Sequence, residues 1–200
     1  MDHFDIAVIG TGPAGQRAAI QAAKFGKRAA IIDRNIPIGG VSLHKGTIPS
    51  KTLREAVLYL SGWRQRGFYG RSYRVKQWIT AQDLTQRLDT TIRQQVEVLQ
   101  HQMYRNHIRV IPGQASFIDP HTLVVRYEEE EDVLIKADRV VIATGTHPAH
   151  PAGIPFDKKT VLDSDDILKI EQLPRSMVVV GAGVIGCEYA SIFSALDIEV

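Results

Sequence analysis

Short, mainly apolar runs at residues 4–9, 29–32, 140–145 and 177–180 stop at a glycine or an acid, the pattern of strands buried on both faces of a parallel sheet. Between them, apolar residues return every third or fourth position and predict helices. One runs from about residue 13 to residue 25, stopped by Gly26 at the C′ position. A second carries Leu53, Ala56, Val57 and Leu60, with Thr47 read as its N-cap and Pro49 as an early helical position. A third covers about residues 81–106, where Thr80 and Asp83 have the spacing of a capping box. Residues 61–78 are irregular. From Ile108 to Ala143 the period becomes that of strands, broken at Pro112, Gly113, Asp119 and Pro120. The acidic run 128–132 reads as the solvated tip of a hairpin, and residues 161–170 as a short capped helix. Three prolines within residues 146–155 mark a linker.

The start of a βα unit occurs twice, at Ile6 and at Val178. After the first strand come Gly10, Gly12 and Gly15, with Pro13 and Ala14 opening the helix. Asp33, followed by Arg34, ends the next strand at about the 20-residue offset of an acid that binds a ribose hydroxyl. In this context the glycines permit a tight turn, a close approach of backbone to a pyrophosphate and close helix–strand packing. Gly181, Gly183 and Gly186, with Val184 and Ile185 between them, repeat the pattern, but their ribose acid would fall past residue 200. Two dinucleotide motifs in one chain suggest that one dinucleotide reduces another, a flavin paired with a nicotinamide. Spacing alone does not say which motif holds which.

Composition narrows the classes without choosing among them. A chain of 200 residues, 44% hydrophobic, with net charge +2, is ordinary for a soluble globular protein and gives no reason to expect a polyanion partner. One cysteine, Cys187, excludes an internal disulfide framework and fits a reducing compartment. The first residues lack a signal peptide, and no apolar run reaches the ~18 residues of a membrane span, so a cytoplasmic location is expected. Residues 63–78 interleave arginines with aromatics, as binders of single-stranded nucleic acid do, but their glycines read as a loop. His147 and His150 are too few for a metal site, and none is expected. Cys187 reads as a small core residue on the apolar side of its helix.

Residues 39–51, GGVSLHKGTIPSK, decide between readings. With GTGPAG and Asp33 before it, and VVIATG and VVVGAGVIGCEYAS after it, the stretch resembles the flavoprotein disulfide reductases over nearly all of the chain. The resemblance implies FAD at the first glycine motif and a nicotinamide dinucleotide at the second. It also places a redox-active pair of cysteines where this chain has Ser42 and Thr47. A hydroxyl forms no disulfide, so that relay is impossible here. LREAV, GTIPSK, DPHTL and LDSDDIL resemble a branch of the family in which hydride passes between NADPH and NAD⁺ through the flavin, a transhydrogenation needing no protein nucleophile.

By the same resemblance, Lys51 and Glu188 are a flavin-polarising pair, and Gly39, Gly40 and Ser42 contact the flavin nucleotide. Gly113 to Ala115 would meet the adenine, and Thr144 and Gly145 would close over FAD. Val184 stands where some relatives carry a gating aromatic residue. Ser42 with His44 as nucleophile and base lacks an orienting acid. The expected architecture is α/β: an FAD-binding Rossmann-like domain with parallel sheet and β-meander at residues 1–150, then the incomplete start of a nicotinamide-binding domain at 151–200. The chain is expected to be a fragment of a homo-oligomeric enzyme and inactive alone. A cysteine-free NAD(P)H oxidase or quinone reductase, a dihydrolipoamide-dehydrogenase-like paralogue and a non-catalytic FAD-binding module stay open.

Overall fold

A computed structural model describes residues 1–127 and 131–200. The chain packs as two compact units, Met1–His44 with Gln94–His147, and Lys45–Arg93 with Pro148–Val200.

The first unit is built on six strands: β1 (Asp2–Ile9), β2 (Ala29–Asp33), β3 (Arg109–Pro112), β4 (Gln114–Asp119), β5 (Thr122–Arg126) and β6 (Val133–Ile142). Their order is β3-β2-β1-β6-β5-β4, parallel from β3 to β6 and antiparallel through β5 and β4. The expected parallel sheet and meander are therefore one continuous sheet. β6 serves both parts, pairing Leu134 with Val124 and then Ile142 with Ile9. Helix α1 (Pro13–Lys24) ends where Gly26, at φ 73°, reverses the chain into β2.

Successive residues of β2 enter opposite cores, as burial on both faces requires. Ile31 packs with Val8, Ala19, Ile20 and Met103, whereas Ile32 packs with Phe4, Ala7, Leu123, Val125 and Ile135. The run at 140–145 is less buried than its composition predicts. β6 ends at Ile142, which is 67% exposed; β5 pairs with this strand only as far as Lys136, and beyond that β1 is its one ladder partner among the described residues. The expected hairpin tip includes residues 128–130, which lie outside the described residues. Its flanks β5 and β6 do pair antiparallel.

The second unit gathers helix α3 (Thr47–Leu60), the first part of helix α5 (Ala81–Arg105) and helix α6 (Val184–Ser194) around one apolar cluster, with the single turn α4 (Arg66–Tyr69) between α3 and α5. Leu53, Ala56 and Val57 meet Leu84, Leu88, Tyr189, Ile192 and Phe193 there. The capping box forms as predicted: Thr80 N–H donates to Asp83 Oδ2 at 2.9 Å, and Asp83 N–H donates to Thr80 Oγ1 at 3.3 Å. Three local expectations are corrected. Gly46, not Thr47, is the N-cap of α3, so Thr47 is already helical. The expected helix at 161–170 is a 3₁₀ turn, Asp166–Lys169, in which Asp163 Oδ1 accepts from the N–H groups of Asp165 and Asp166. Residues 177–180 form no strand. Beside them Ser176 bridges in parallel to Glu199, and the Met177 N–H donates to the Glu199 carbonyl at 2.8 Å, but the pairing goes no further among the described residues and Val178 and Val180 stand 87% and 94% exposed.

Candidate functional site

The first glycine loop joins β1 to α1. Gly10 takes φ 109°, and a Cβ there would lie 2.1 Å from the Ala143 carbonyl oxygen. A Cβ on Gly15 would lie 2.0 Å from the Gly10 carbonyl oxygen. Both positions exclude side chains because backbone comes too close. Gly12 differs: it is extended, with nothing within 4 Å of a Cβ, and Pro13 follows as the first residue of α1. No side chain caps this helix, so its first N–H groups at Ala14 and Gly15 and its positive dipole end stay available to an anion.

Asp33 fastens the loop. Its Oδ2 accepts from the Thr11 N–H at 2.8 Å and from the Thr11 hydroxyl at 2.6 Å, while Oδ1 accepts from the Asn35 N–H. Thr11, 1% exposed, also accepts from the Gly39 N–H through its hydroxyl oxygen at 3.1 Å. Gly40 lies against the loop so closely that a Cβ there would stand 2.6 Å from the Gly12 Cα. Asn35 Nδ2 also donates to Oδ1, at 3.4 Å, so the four lone-pair positions are taken and a ribose hydroxyl would replace that longest bond. Gly113 donates its N–H to the Asp33 carbonyl at 2.9 Å, which brings the start of β4, with Ala115, to this end of the sheet. Thr144 and Gly145 follow the Ala143 carbonyl that faces Gly10, and both are exposed, as is Arg34 beyond Asp33.

Ser42 lies half-buried in helix α2 (Gly40–His44). His44 Nε2 hydrogen-bonds the Ile38 carbonyl at 3.1 Å, so its ring is a local tether and not a base for Ser42. An uncapped helix start, three close glycine approaches and an acid at the end of β2 fit a bound dinucleotide. Thr11 escaped the sequence reading because it occupies the variable position of the glycine motif, and only its burial shows its role.

In the second unit, Lys51 Nζ on α3 donates to Glu188 Oε1 on α6, forming the expected pair. Glu188 is 13% exposed along its side chain and Lys51 58%. Its other oxygen, Oε2, accepts from Ser50 Oγ at 3.2 Å, a contact no sequence pattern announced. The adjacent Tyr189 hydroxyl has its pKa raised, by burial first and then by the negative charges of Glu188 and Asp165.

The second glycine loop reproduces the first in backbone. Gly181 takes φ 116°, Gly183 is extended, and a Cβ on Gly186 would lie 2.1 Å from the Gly181 carbonyl oxygen. Val184 and Ile185 open α6 and are exposed. Cys187 is exposed too, correcting its expected place in the core. The apolar stripe of α6 runs through Tyr189, Ile192 and Phe193, and Cys187 falls off that face, with Sγ toward the Ala182 carbonyl at 3.4 Å.

Comparison with known proteins agrees with this double glycine architecture. The sequence profile of the pyridine nucleotide-disulphide oxidoreductases matches residues 4–200. The chain belongs to that family. Among curated members of the pyridine nucleotide-disulphide oxidoreductases, it is 54% identical over 201 residues to a soluble pyridine nucleotide transhydrogenase of Mycobacterium tuberculosis, covering 100% of this chain and 43% of that protein. It is 42% identical over 198 residues to the soluble pyridine nucleotide transhydrogenase of Photorhabdus laumondii, covering 99% and 42%. It thus spans less than half the length of the curated relatives it matches. Of solved structures, the HOCl-induced flavoprotein disulfide reductase of Escherichia coli, in its Cu(II) complex, superposes with a TM-score of 0.79 at 29% identity, over 98% of this chain and 41% of the other.

Proposed function

We propose that residues 1–150 are the FAD-binding part, and residues 151–200 the beginning of the nicotinamide-binding part, of an FAD-dependent soluble NAD(P)⁺ transhydrogenase of the Si-specific type. Its net reaction is NADPH + NAD⁺ ⇌ NADP⁺ + NADH. One observation carries the reading: the Lys51–Glu188 pair is assembled in a chain that has Ser42 and Thr47 where a disulfide relay would need thiols. Its sole cysteine, Cys187, has no thiol partner.

The loop of Gly10, Gly12 and Gly15, with the start of α1, would hold the pyrophosphate of FAD, and Asp33 a ribose hydroxyl. Gly39, Gly40, Ser42, Ala115, Thr144 and Gly145 complete that binding surface. Bound FAD supplies hydride chemistry. The chain's part is electrostatic: Lys51 sets an ammonium where negative charge develops, and Glu188 fixes the lysine's direction. Gly181, Gly183, Val184, Ile185 and Gly186 receive the nicotinamide dinucleotide, and Val184 is too small to shield it. No side chain has to act as a nucleophile.

A homo-oligomeric cytoplasmic protein without a nucleic-acid partner completes the proposal. Two observations bear on the membrane and nucleic-acid parts of it. No helix among the described residues is long and apolar enough to cross a membrane. Of the five cations in residues 61–78, Arg64 pairs with Glu55, Arg66 and Arg74 with Asp197, and Lys76 with Asp83, leaving little free charge for phosphates.

The test is anaerobic transfer of hydride from NADPH to an NAD⁺ analogue by the full-length, flavin-loaded protein. Transfer is expected with ping-pong kinetics. NADPH consumption that instead requires oxygen or a quinone would replace the transhydrogenase by an oxidase or quinone reductase.

A further inference from the structure

The Glu188 carboxylate is held by two consecutive residues of α3, and only the second of them belongs to the expected pair. Ser50 and Lys51 lie in the second turn of that helix, about 100° apart around its axis, so their side chains leave in different directions. Lys51 points outward on a long stem and is 58% exposed. Ser50 is 5% exposed, and its short hydroxyl reaches Glu188 Oε2 at 3.2 Å from within the helix packing. The same hydroxyl stands 3.3 Å from the Thr47 carbonyl, so its single proton has two acceptors to choose between. An ionised Glu188 attracts that proton more strongly than a neutral carbonyl does.

We propose that Ser50 is a positioning residue: its hydroxyl fixes the Glu188 carboxylate, so that the mobile Lys51 ammonium returns to one place. The reasoning is steric as well as electrostatic. A lysine stem has several rotatable bonds and loses much freedom when held. An ion pair that is half open to water therefore directs its lysine only if the carboxylate is itself immobile. Glu188, nearly buried, has a second oxygen that burial requires to be hydrogen-bonded, and Ser50 is the side chain that satisfies it. Tyr189, next along α6, leaves its hydroxyl unpartnered and does not compete.

This inference rests on the proposed flavin-facing role of the pair, and the experiment separates the two. In the flavin-loaded protein, Ser50→Ala is expected to slow flavin reduction by NADPH about fivefold, the weight of one net hydrogen bond, and to shift the pH profile of that step while KM for NADPH holds. Ser50→Thr, which keeps the hydroxyl, restores both. A double-mutant cycle on thermal unfolding gives a readout independent of turnover: Ser50→Ala lowers Tm in the parent and does so less in a Glu188→Met background. Wild-type rates with an unchanged pH profile in Ser50→Ala, or equal Tm losses in the two backgrounds, would overturn the positioning role. If Ser50→Ala fails to fold, Ser50→Cys, with its weaker donor, takes its place in the same comparisons. Lys51→Ala with unaltered flavin spectrum and reduction rate would instead remove the flavin-facing reading, leaving the Ser50–Glu188 coupling in the unfolding cycle intact.

Discussion

Gly10 and Gly12 stand two positions apart and carry different burdens. At Gly10 the positive φ and the Ala143 oxygen both exclude a side chain, whereas at Gly12 the backbone is extended and the space above it is open. Gly10→Ala should therefore destabilise the fold by about 3 kcal/mol or more, read as a lowered midpoint in urea. Gly12→Ala should leave that midpoint within about 0.5 kcal/mol of the parent and lower the FAD retained after dialysis, because its methyl group would occupy space reserved for the cofactor. The glycine spacing was plain in the sequence; the division of labour was not, since it depends on where the Ala143 carbonyl arrives from β6. Thr11 and Ser50 were hidden for a related reason. Each acts through a partner far along the chain, Asp33 or Glu188, and nothing local signals the contact.

Helices announced themselves well where their caps and periodicity were local. The N-terminus of α5 is the clearest case: Asp83 accepts from Thr80 and from Lys76 Nζ at 2.6 Å. Those bonds, that from Lys76 first, bring its carboxyl from 3.8 down to about 2. A carboxyl depressed on folding adds stability that is complete above its unfolded value and disappears as pH falls toward about 2. Protection factors for hydrogen exchange at the first turn of α5 should accordingly fall between pH 4 and about 2 in the parent. Asp83→Ala should cost about 1 kcal/mol at neutral pH and abolish that acid dependence. Strands were harder to read. An apolar run promises a strand only if another strand adjoins it, and residues 177–180 have the composition without the neighbour. The opposite happened in β6, where two runs that looked separate, one paired with β5 and one with β1, are a single strand.

At the scale of the molecule, order along the chain and packing in space part company. Residues 45–93 pack with residues 148–200 around Leu53, Val57, Leu88 and Phe193, while residues 1–44 pack with residues 94–147. No periodicity reveals such an exchange, because each of these helices shows one apolar stripe and none names its partner. The two glycine loops match to within 0.1 Å at the Gly15 and Gly186 approaches but not at their first glycines, where a Cβ on Gly10 would meet the Ala143 carbonyl and one on Gly181 would meet nothing within 4 Å.

The hydroxyls of Ser42 and Thr47 also settle a matter of toxicology. Trivalent arsenicals and soft metal ions inhibit dithiol enzymes by clasping two sulfurs at once, and this turn offers them oxygen, a hard ligand they bind poorly. Phenylarsine oxide should form no chelate at this turn, and mass spectrometry after iodoacetamide treatment should find one alkylation within residues 1–200, at the exposed Cys187. Ser42 and Thr47 leave nothing in this turn for an oxidant to convert to sulfinic acid, so under the proposed transhydrogenation oxidative stress would find no thiol to silence here.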